Sequence, residues 1–286
     1  MTPLSRPTAL GATALSLSLG LSAHAVVLVD YDFDNSTLGP YADGSVVDGG
    51  GPVTSALNVG SGNAGASTPN NGLTTGVDVV NQSLGDNDLR LTKTIDNFVP
   101  DGRPFVNADL AGVSTDDTGN FLLTADFSYT RLSSGGGEPL FQFLINTGDA
   151  LNAGLAQTII QVEVANGILR YRDGNTNTLT GLTLDTDVEY LFDIDVDFSS
   201  DTQDTWSFKV ATAADPNTLL VNLSGIDTRV ANGEAGIVLW KGGANPGADF
   251  PTAFGAIDDL LITAIPEPGS LALALMGLAL VSARRR

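Results

Sequence analysis

The chain contains no cysteine, and its only histidine is His24. Without cysteine there is no thiol nucleophile and no disulfide, so a folded domain must be held together by its apolar core alone. His24 lies in an N-terminal segment that we expect to be removed. The remaining chain then has no histidine for a Ser-His-Asp triad, a zinc site or an imidazole general base. These absences exclude several large classes of hydrolase and metalloenzyme.

Basic residues are also scarce. The chain has 13 Lys and Arg against 33 Asp and Glu, a formal net charge of −20. Without Arg6, Glu267 and the three terminal arginines, nine basic and 32 acidic residues remain. Nucleic acid is not an expected partner, because binding it requires basic patches that neutralise phosphates. The excess of carboxylates suits either plain surface solvation or binding of Ca²⁺.

The N-terminus has the pattern of a secretory signal peptide. A short segment containing Arg6 precedes an apolar run over 9–21, and Ala23-His24-Ala25 forms an A-x-A cleavage site. This order of charged, apolar and small residues is typical of a cleaved export signal. We predict that 1–25 is a signal peptide helix and that the mature chain begins at Val26.

The C-terminus has the pattern of a second targeting signal. Pro266-Glu267-Pro268 is followed by an apolar run over 271–281 and by Arg284, Arg285 and Arg286. The prolines prevent a helix from extending backwards. The fifteen residues 269–283 would span about 22 Å as a helix, less than the ~30 Å hydrocarbon core, and the arginines would stay cytoplasmic. An ordinary single-span tail anchor is the alternative.

The order of these tail features resembles the PEP-CTERM sorting signal of Gram-negative, often exopolysaccharide-producing bacteria. The resemblance implies export, transient anchoring in the inner membrane by a short transmembrane helix, and processing by an exosortase-type enzyme near Pro266-Glu267-Pro268. It also implies a final place at the cell surface or outside the cell. We therefore divide the chain into a signal peptide (1–25), one domain (26–263) and a sorting segment (264–286).

The central domain has the sequence pattern of β-structure. Short apolar alternations are separated by clusters of Gly, Asn, Asp and Ser, which is typical of strands and turns. Asn166-Gly167 between two such alternations predicts a type I′ hairpin. The region 43–71 reads as loops with one short strand. Strands are predicted at 27–34, 89–93, 121–130, 140–146, 157–165, 168–172, 188–198, 205–211, 219–223, 235–240 and 256–263.

Such a set of antiparallel strands in one domain predicts an all-β jelly-roll sandwich. The segments Val29 to Asp34, Val188 to Asp197 and Phe254 to Ile262 also resemble a concanavalin A-like or laminin-G-like sandwich. In such folds the first and last strands often pair. The resemblance rests on strand texture and implies a fold more than a function.

A structural Ca²⁺ site is one hypothesis for the acidic residues. If the terminal strands are neighbours, Asp32 or Asp34 could meet Asp258 and Asp259 and supply the oxygen ligands of a hard cation. A solvated acidic strand edge is the alternative. Asp173-x-Asn175-x-Asn177 begins like a calcium loop, but it lacks the Gly and the acid that follow in such loops, so a polar turn is favoured. No other cofactor is expected.

Aromatic residues are candidates for stacking on sugar rings. Trp240 precedes Lys241-Gly242-Gly243 at a strand end, where it could face a cleft and bind a ligand. Trp206 alternates with Phe208 on one strand and is expected in the core, and Tyr171 is a third candidate. For Trp240 both packing in the core and ligand binding stay open.

Paired carboxylates could support glycoside hydrolysis, which requires two acids flanking a cleft. The Glu-x-Asp-x-x-Glu motif of laminarinase-like enzymes is absent, and Asp193, Asp195 and Asp197 share one strand face without a glutamate. We therefore predict a non-enzymatic, exported sandwich that binds glycans, such as an exopolysaccharide, or another surface component. The alternatives are a carboxylate-dependent glycan hydrolase or lyase and a purely structural matrix protein.

Overall fold

A computed structural model describes twelve segments of the chain. They are 25–41, 45–50, 57–61, 75–83, 86–93, 104–110, 121–132, 140–147, 157–198, 203–230, 235–243 and 253–266. Several predicted features lie outside these residues, namely Ala23, Glu267, Pro268, Arg284, Arg285, Arg286 and the two terminal helices. Within the described segments no helix has the length and apolar character needed to cross a membrane.

The described residues form sixteen β-strands. In chain order these are β1 Val26–Tyr31, β2 Gly39–Tyr41, β3 Leu57–Ser61, β4 Thr75–Ser83, β5 Asp86–Lys93, β6 Pro104–Asp109, β7 Phe121–Arg131, β8 Leu140–Thr147, β9 Thr158–Ala165, β10 Ile168–Asp173, β11 Thr176–Thr183, β12 Glu189–Asp197, β13 Thr205–Thr212, β14 Val221–Asp227, β15 Ala235–Gly243 and β16 Ala253–Pro266. Every pairing between these strands is antiparallel.

The strands lie in two sheets. The first has the order β14-β13-β12-β7-β16-β5-β4-β2, with β1 also paired to β16. The second has the order β11-β10-β9-β8-β15-β6-β3. The two sheets pack face to face around one large apolar cluster. The predicted all-β antiparallel sandwich is therefore confirmed.

The first and last strands pair, as the resemblance implied. Strand β16 pairs with β7 along one edge, and along its other edge it pairs first with β5 and then with β1. A bulge lies between Asp258 and Leu261, where Asp259 has a φ of 50°. Such a bulge bends a strand and increases its twist. Here it separates the part of β16 that pairs with β5 from the part that pairs with β1.

Alternation places apolar side chains between the sheets. On β12 the residues Tyr190, Phe192, Ile194 and Val196 are buried, while the residues between them are half-buried and face outward. This is the pattern of a strand with one face in a core and one face toward solvent. The predicted solvent-facing side of this strand, which carries the aspartates, is confirmed.

An aromatic cluster occupies the centre of the core. The Phe127 ring stacks on Phe192 with centroids 5.0 Å apart and planes 2° apart, and it lies 5.0 Å from Phe143. The edge of Trp240 meets Phe127 at 6.2 Å. Because Phe127 and Phe192 belong to the first sheet and Phe143 and Trp240 to the second, these contacts join the two layers. Aromatic pairs of this geometry contribute about 0.5–1.5 kcal/mol each beyond area burial.

The strand boundaries differ from the prediction in several places. Strands β2, β4, β6 and β11 were not predicted, and β16 continues through Pro266, opposite Phe121 of β7. Since Ala264 and Ile265 still pair with β7, the sandwich runs three residues into the expected sorting segment. The hairpin at Asn166-Gly167 is confirmed, because both residues have positive φ, as a type I′ turn requires.

Replacing Phe127 by alanine tests whether the sheets depend on this cluster. We expect Phe127→Ala to lower the free energy of unfolding by about 3–5 kcal/mol, because a fully buried aromatic side chain leaves a cavity between the layers. Leu179→Ala is the matched control, since Leu179 is 63% exposed and should change stability by less than about 0.5 kcal/mol. Urea unfolding followed by tryptophan fluorescence measures both. Equal effects of the two substitutions would contradict a core centred on Phe127.

Candidate functional site

The outer face of the second sheet carries a row of polar side chains across four strands. Strand register places Arg170 opposite Glu163, Glu163 opposite Gln142, and Gln142 opposite Lys241. The neighbouring residues in these strands point inward to the core, so alternation directs this row outward. Glu163 and Lys241 are buried, whereas Gln142 and Arg170 are half-buried.

Glu163 is the centre of a hydrogen-bond network. The Gln161 Nε2 donates to Glu163 Oε2 at 2.7 Å, and the Gln142 Nε2 donates to the same oxygen at 3.2 Å. The other carboxylate oxygen, Oε1, lies 3.6 Å from Arg170 Nη1. A buried carboxylate requires such partners, because an unpaired buried charge is strongly destabilising. The network therefore holds the amide and guanidinium groups around Glu163 in set orientations.

Arg172 extends the network to the edge of the sheet. Its Nε donates to Gln161 Oε1 at 2.9 Å and its Nη1 to the Asn175 carbonyl at 3.4 Å. Because Gln161 donates through its nitrogen and accepts through its oxygen, its amide orientation is determined by Glu163 and Arg172 together. Arg172 is half-buried, so part of its guanidinium stays open to solvent.

The turn between β10 and β11 docks against the end of β14. The Gly174 N–H donates to the Asp227 carbonyl at 2.9 Å, and the Asp227 N–H donates to Asp173 Oδ1 at 3.2 Å. Just beyond β14, the Arg229 N–H donates to the Ile159 carbonyl at 2.8 Å. The Arg229 Nε donates to Asn175 Oδ1 at 3.2 Å. This docking confirms a polar hairpin at Asp173–Asn177 and brings Arg229 next to the second sheet.

The outer face of the second sheet is only partly exposed to solvent. All eight residues of β9 are buried, and Phe105, Leu144, Ile237 and Leu239 form a separate buried apolar cluster on the outer face. In register, Leu144 lies opposite Gln161, so this cluster adjoins the polar row. The half-buried arginines of β10 and the largely exposed strand β11 therefore form the accessible end of this face.

The outer face of the first sheet carries an acidic cluster. Asp126 lies opposite Asp193 in register, and Lys209 Nζ lies 2.7 Å from Asp193 Oδ2 and 4.0 Å from Asp195 Oδ2. Burial raises the pKa of Asp126 to about 6, the negative charges of Asp193 and Asp195 add to the shift, and Lys209 partly offsets it. Burial, then Asp193, also raises the pKa of Asp195. The hydrogen bond to Asp193 raises the pKa of Lys209.

The predicted calcium residues are brought to neighbouring positions but not into a cluster. Asp258 is buried in β16, and its Oδ1 accepts the Asp259 N–H at 2.8 Å. Asp32 follows β1, is exposed, and accepts the Asp34 N–H at 3.2 Å. In the segments that the structure describes, no group of three or more His, Cys, Asp or Glu is arranged to hold a metal. Calcium binding by Asp32 and Asp258 stays a prediction.

The placement of Trp240 corrects the hypothesis that it binds a ligand. Its side chain is 0% exposed and lies between Phe127 and Phe143, so no sugar ring can stack on it. The physical reason is strand alternation, because in β15 the Trp240 side chain points inward and that of its neighbour Lys241 points outward. Trp206 is likewise buried, as expected, and Tyr171 packs against it with centroids 6.1 Å apart.

The network around Glu163 was not predicted, although the sequence contains a signal for it. In a hairpin with a two-residue turn the register follows from the turn itself, so Asn166-Gly167 sets Glu163 opposite Arg170 and brings Gln161 beside Arg172. Gln161 and Glu163 alternate along one strand and Arg170 and Arg172 along the next. All four must therefore share one face. The contribution of Gln142 and Arg229 depends on contacts that local sequence does not specify.

The C-terminal residues 264–286 match the family model of the PEP-CTERM protein-sorting motif. The predicted sorting signal is therefore present. It indicates a secreted protein that is anchored transiently in the membrane before processing, and it implies processing by an exosortase-type system. No curated protein matches the chain.

Several solved structures are similar to this chain at low sequence identity. An endo-1,3-β-glucanase from Streptomyces sioyaensis has a TM-score of 0.50 and 12% identity, covering 85% of this chain and 97% of that one. An alginate lyase from Aplysia kurodai has a TM-score of 0.48 and 10% identity, covering 65% and 86%. A basic winged bean lectin has a TM-score of 0.43 and 14% identity, covering 73% and 99%. The likeness to the glucanase supports the predicted concanavalin A-like sandwich and shows the fold alone.

The raised pKa of Asp126 predicts a pH dependence of stability. Its pKa is about 6 in the folded state against an ordinary value of 3.8 for an aspartate, so between these pH values the folded state binds more protons than the unfolded state. The free energy of unfolding should therefore fall as pH rises from about 4 to about 6. Asp126→Asn should remove this slope and raise stability at pH 7 by about 1 kcal/mol, a value discounted because partly exposed charges are screened.

Urea unfolding between pH 4 and pH 8 measures this effect. Glu189→Gln is the control, because Glu189 is an exposed carboxylate on the same face of the first sheet. An unchanged pH slope in Asp126→Asn, or a slope equally changed in the control, would contradict the role of Asp126.

Proposed function

We propose that the protein is a non-catalytic glycan-binding sandwich of the cell surface or extracellular matrix. Its binding face is the accessible end of the polar row on the second sheet, around Gln142, Arg170 and Arg172. The single observation that carries this proposal is the network in which Gln161 and Glu163 hold the neighbouring amide and guanidinium groups in place.

The chemistry of the row suits a ligand rich in hydroxyl groups. Amides offer both donors and acceptors, and guanidinium groups offer several donors in one plane. Groups held by a buried layer lose little conformational entropy when they bind a ligand. No aromatic residue is among the exposed large hydrophobic residues of the described segments. Recognition would therefore depend on hydrogen bonds rather than on stacking.

The arrangement favours binding over hydrolysis. Glycoside hydrolysis requires two carboxyl groups about 5–10 Å apart. Among the described residues, Glu163 is the only carboxylate that bonds to Gln142, Gln161 and Arg170, and both its oxygens already have these partners. A residue so engaged is suited to positioning Gln161 and Arg170, not to attacking a sugar or protonating a leaving group.

A carboxylate-dependent glycan hydrolase is the second candidate, and one observation favours it. On the first sheet, Asp126 has a pKa near 6 and lies opposite Asp193, which is paired with Lys209. A carboxyl group with a raised pKa beside a second carboxyl group is an arrangement that can supply an acid and a base in one site. Catalysis would therefore be located on the first sheet, not on the second.

Binding of the full chain to a panel of polysaccharides, with product release monitored in parallel, tests the proposal. We expect binding without turnover, and we expect Arg172→Gln to weaken it by about tenfold, because a hydrogen bond to a charged group is lost. Arg90→Gln is the matched control, because it removes one half-buried positive charge from the outer face of the opposite sheet. Binding equally reduced in both variants would contradict the assignment of the face.

The same experiment separates the other functions. Turnover that disappears in Asp126→Asn would establish the hydrolase and overturn the non-catalytic proposal. A protein that binds no polysaccharide of the panel would support the structural matrix role instead.

A further inference from the structure

Three arginines meet at one corner of a strongly acidic protein. Between 26 and 265 the chain has only nine basic residues against 32 acidic ones. Three of the nine, Arg170, Arg172 and Arg229, surround the corner where β10 and its turn meet the end of β14. In a chain with a net charge of −20, a local group of cations marks a place where an anion can be bound despite general repulsion.

Two of these guanidinium groups contact one residue. Arg172 Nη1 donates to the Asn175 carbonyl at 3.4 Å, and Arg229 Nε donates to the Asn175 side-chain oxygen at 3.2 Å. The remaining partner of Arg172 is Gln161. All these acceptors are neutral, and within the described segments neither Arg172 nor Arg229 forms an ion pair. Two guanidinium groups are thus held close together without a direct ion pair to a carboxylate of the described residues.

The nearby carboxylates of Glu163 and Asp173 already interact with other groups. Both oxygens of Glu163 are engaged by Gln142, Gln161 and Arg170. The Asp173 Oδ1 accepts the N–H of Asp227 in the docking of the turn. Among the described residues no carboxylate forms an ion pair with Arg172 or Arg229, so an anion from outside can still bind these groups directly.

Arg229 also has an unused donor. Its Nη1 is buried and has no hydrogen-bond partner among the described residues. Burial, and secondly the charge of Arg172, lower the pKa of Arg229. A buried N–H without an acceptor is destabilising, and an anionic oxygen placed against it would satisfy the donor and the charge together.

From this corner we propose, building on the glycan-binding function above, that Arg172 and Arg229 bind the carboxylate groups of an acidic polysaccharide. The planar fork of a guanidinium matches a carboxylate in bidentate geometry. The corner is continuous with Arg170 and Gln142, whose donors and acceptors suit sugar hydroxyls. A polymer of uronic acids offers both kinds of group along one chain, whereas a free inorganic anion would leave the polar row unused.

Polymers that differ only in charge test this inference. We expect the full chain to bind polygalacturonate and to bind its carboxyl-reduced, neutral counterpart at least about tenfold more weakly. Arg229→Gln should weaken binding of polygalacturonate by about tenfold and leave binding of the neutral polymer unchanged. Arg90→Gln, which removes one positive charge on the opposite sheet, should change neither affinity. Thermal unfolding of each variant checks that the fold is retained.

Each outcome separates the inference from the function on which it rests. Binding of the neutral polymer as tightly as polygalacturonate would overturn the anion site and leave glycan binding in place, whereas no binding of either polymer would overturn both. Binding of dextran sulfate without binding of polygalacturonate would overturn the assignment to carboxylates. If Arg229→Gln loses its fold, Arg229→Lys replaces it. Arg229→Lys keeps the charge and loses the fork, so an undiminished affinity for polygalacturonate would overturn the bidentate geometry.

Discussion

Apolar packing between two sheets is the constraint on which the rest of the molecule depends. The chain has no disulfide, because it has no cysteine, so the layers are joined through contacts such as those of Phe127 with Phe143 and Trp240. Each inward side chain determines the direction of its neighbours, since successive residues of a strand point to opposite faces. The inward position of Trp240 therefore places Lys241 on the outer face, and that of Val162 does the same for Gln161 and Glu163.

The two outer faces differ in how their charges are satisfied. On the first sheet Asp126, Asp193 and Asp195 share one lysine, and burial together with mutual repulsion keeps Asp126 readily protonated. On the second sheet one buried carboxylate, Glu163, is surrounded by amide and guanidinium donors. The first arrangement suits proton transfer and the second suits recognition. This contrast gives the two proposed functions separate locations in one fold.

The fold could be predicted from the sequence because its signals are local. Alternation along β12, the turn at Asn166-Gly167 and the apolar terminal strands each report a short-range preference, and the structure confirms the sandwich and the pairing of β1 with β16. The burial of Trp240 could not be decided in the same way. Whether a residue at a strand end points into the core depends on which sheet packs over that end. That sheet is built from strands far away in sequence.

The proposed site shows the same division. The hairpin register makes neighbours of Glu163 and Arg170, and this much was encoded locally. Arg229 reaches the corner only because β14 ends beside the turn of another sheet, where Gly174 and Asp173 bind the backbone of Asp227. A contact between layers of this kind has no local sequence signature. Binding residues that close the edge of a sandwich are therefore the hardest to anticipate.

Amide hydrogen exchange of the full chain with and without polygalacturonate can locate a bound polymer without altering a residue. We expect slower exchange at the turn between β10 and β11 and at residues 227–230, with no change along β12 and β13. Slower exchange confined to β12 and β13 would place the binding face on the first sheet and contradict binding by Arg172 and Arg229.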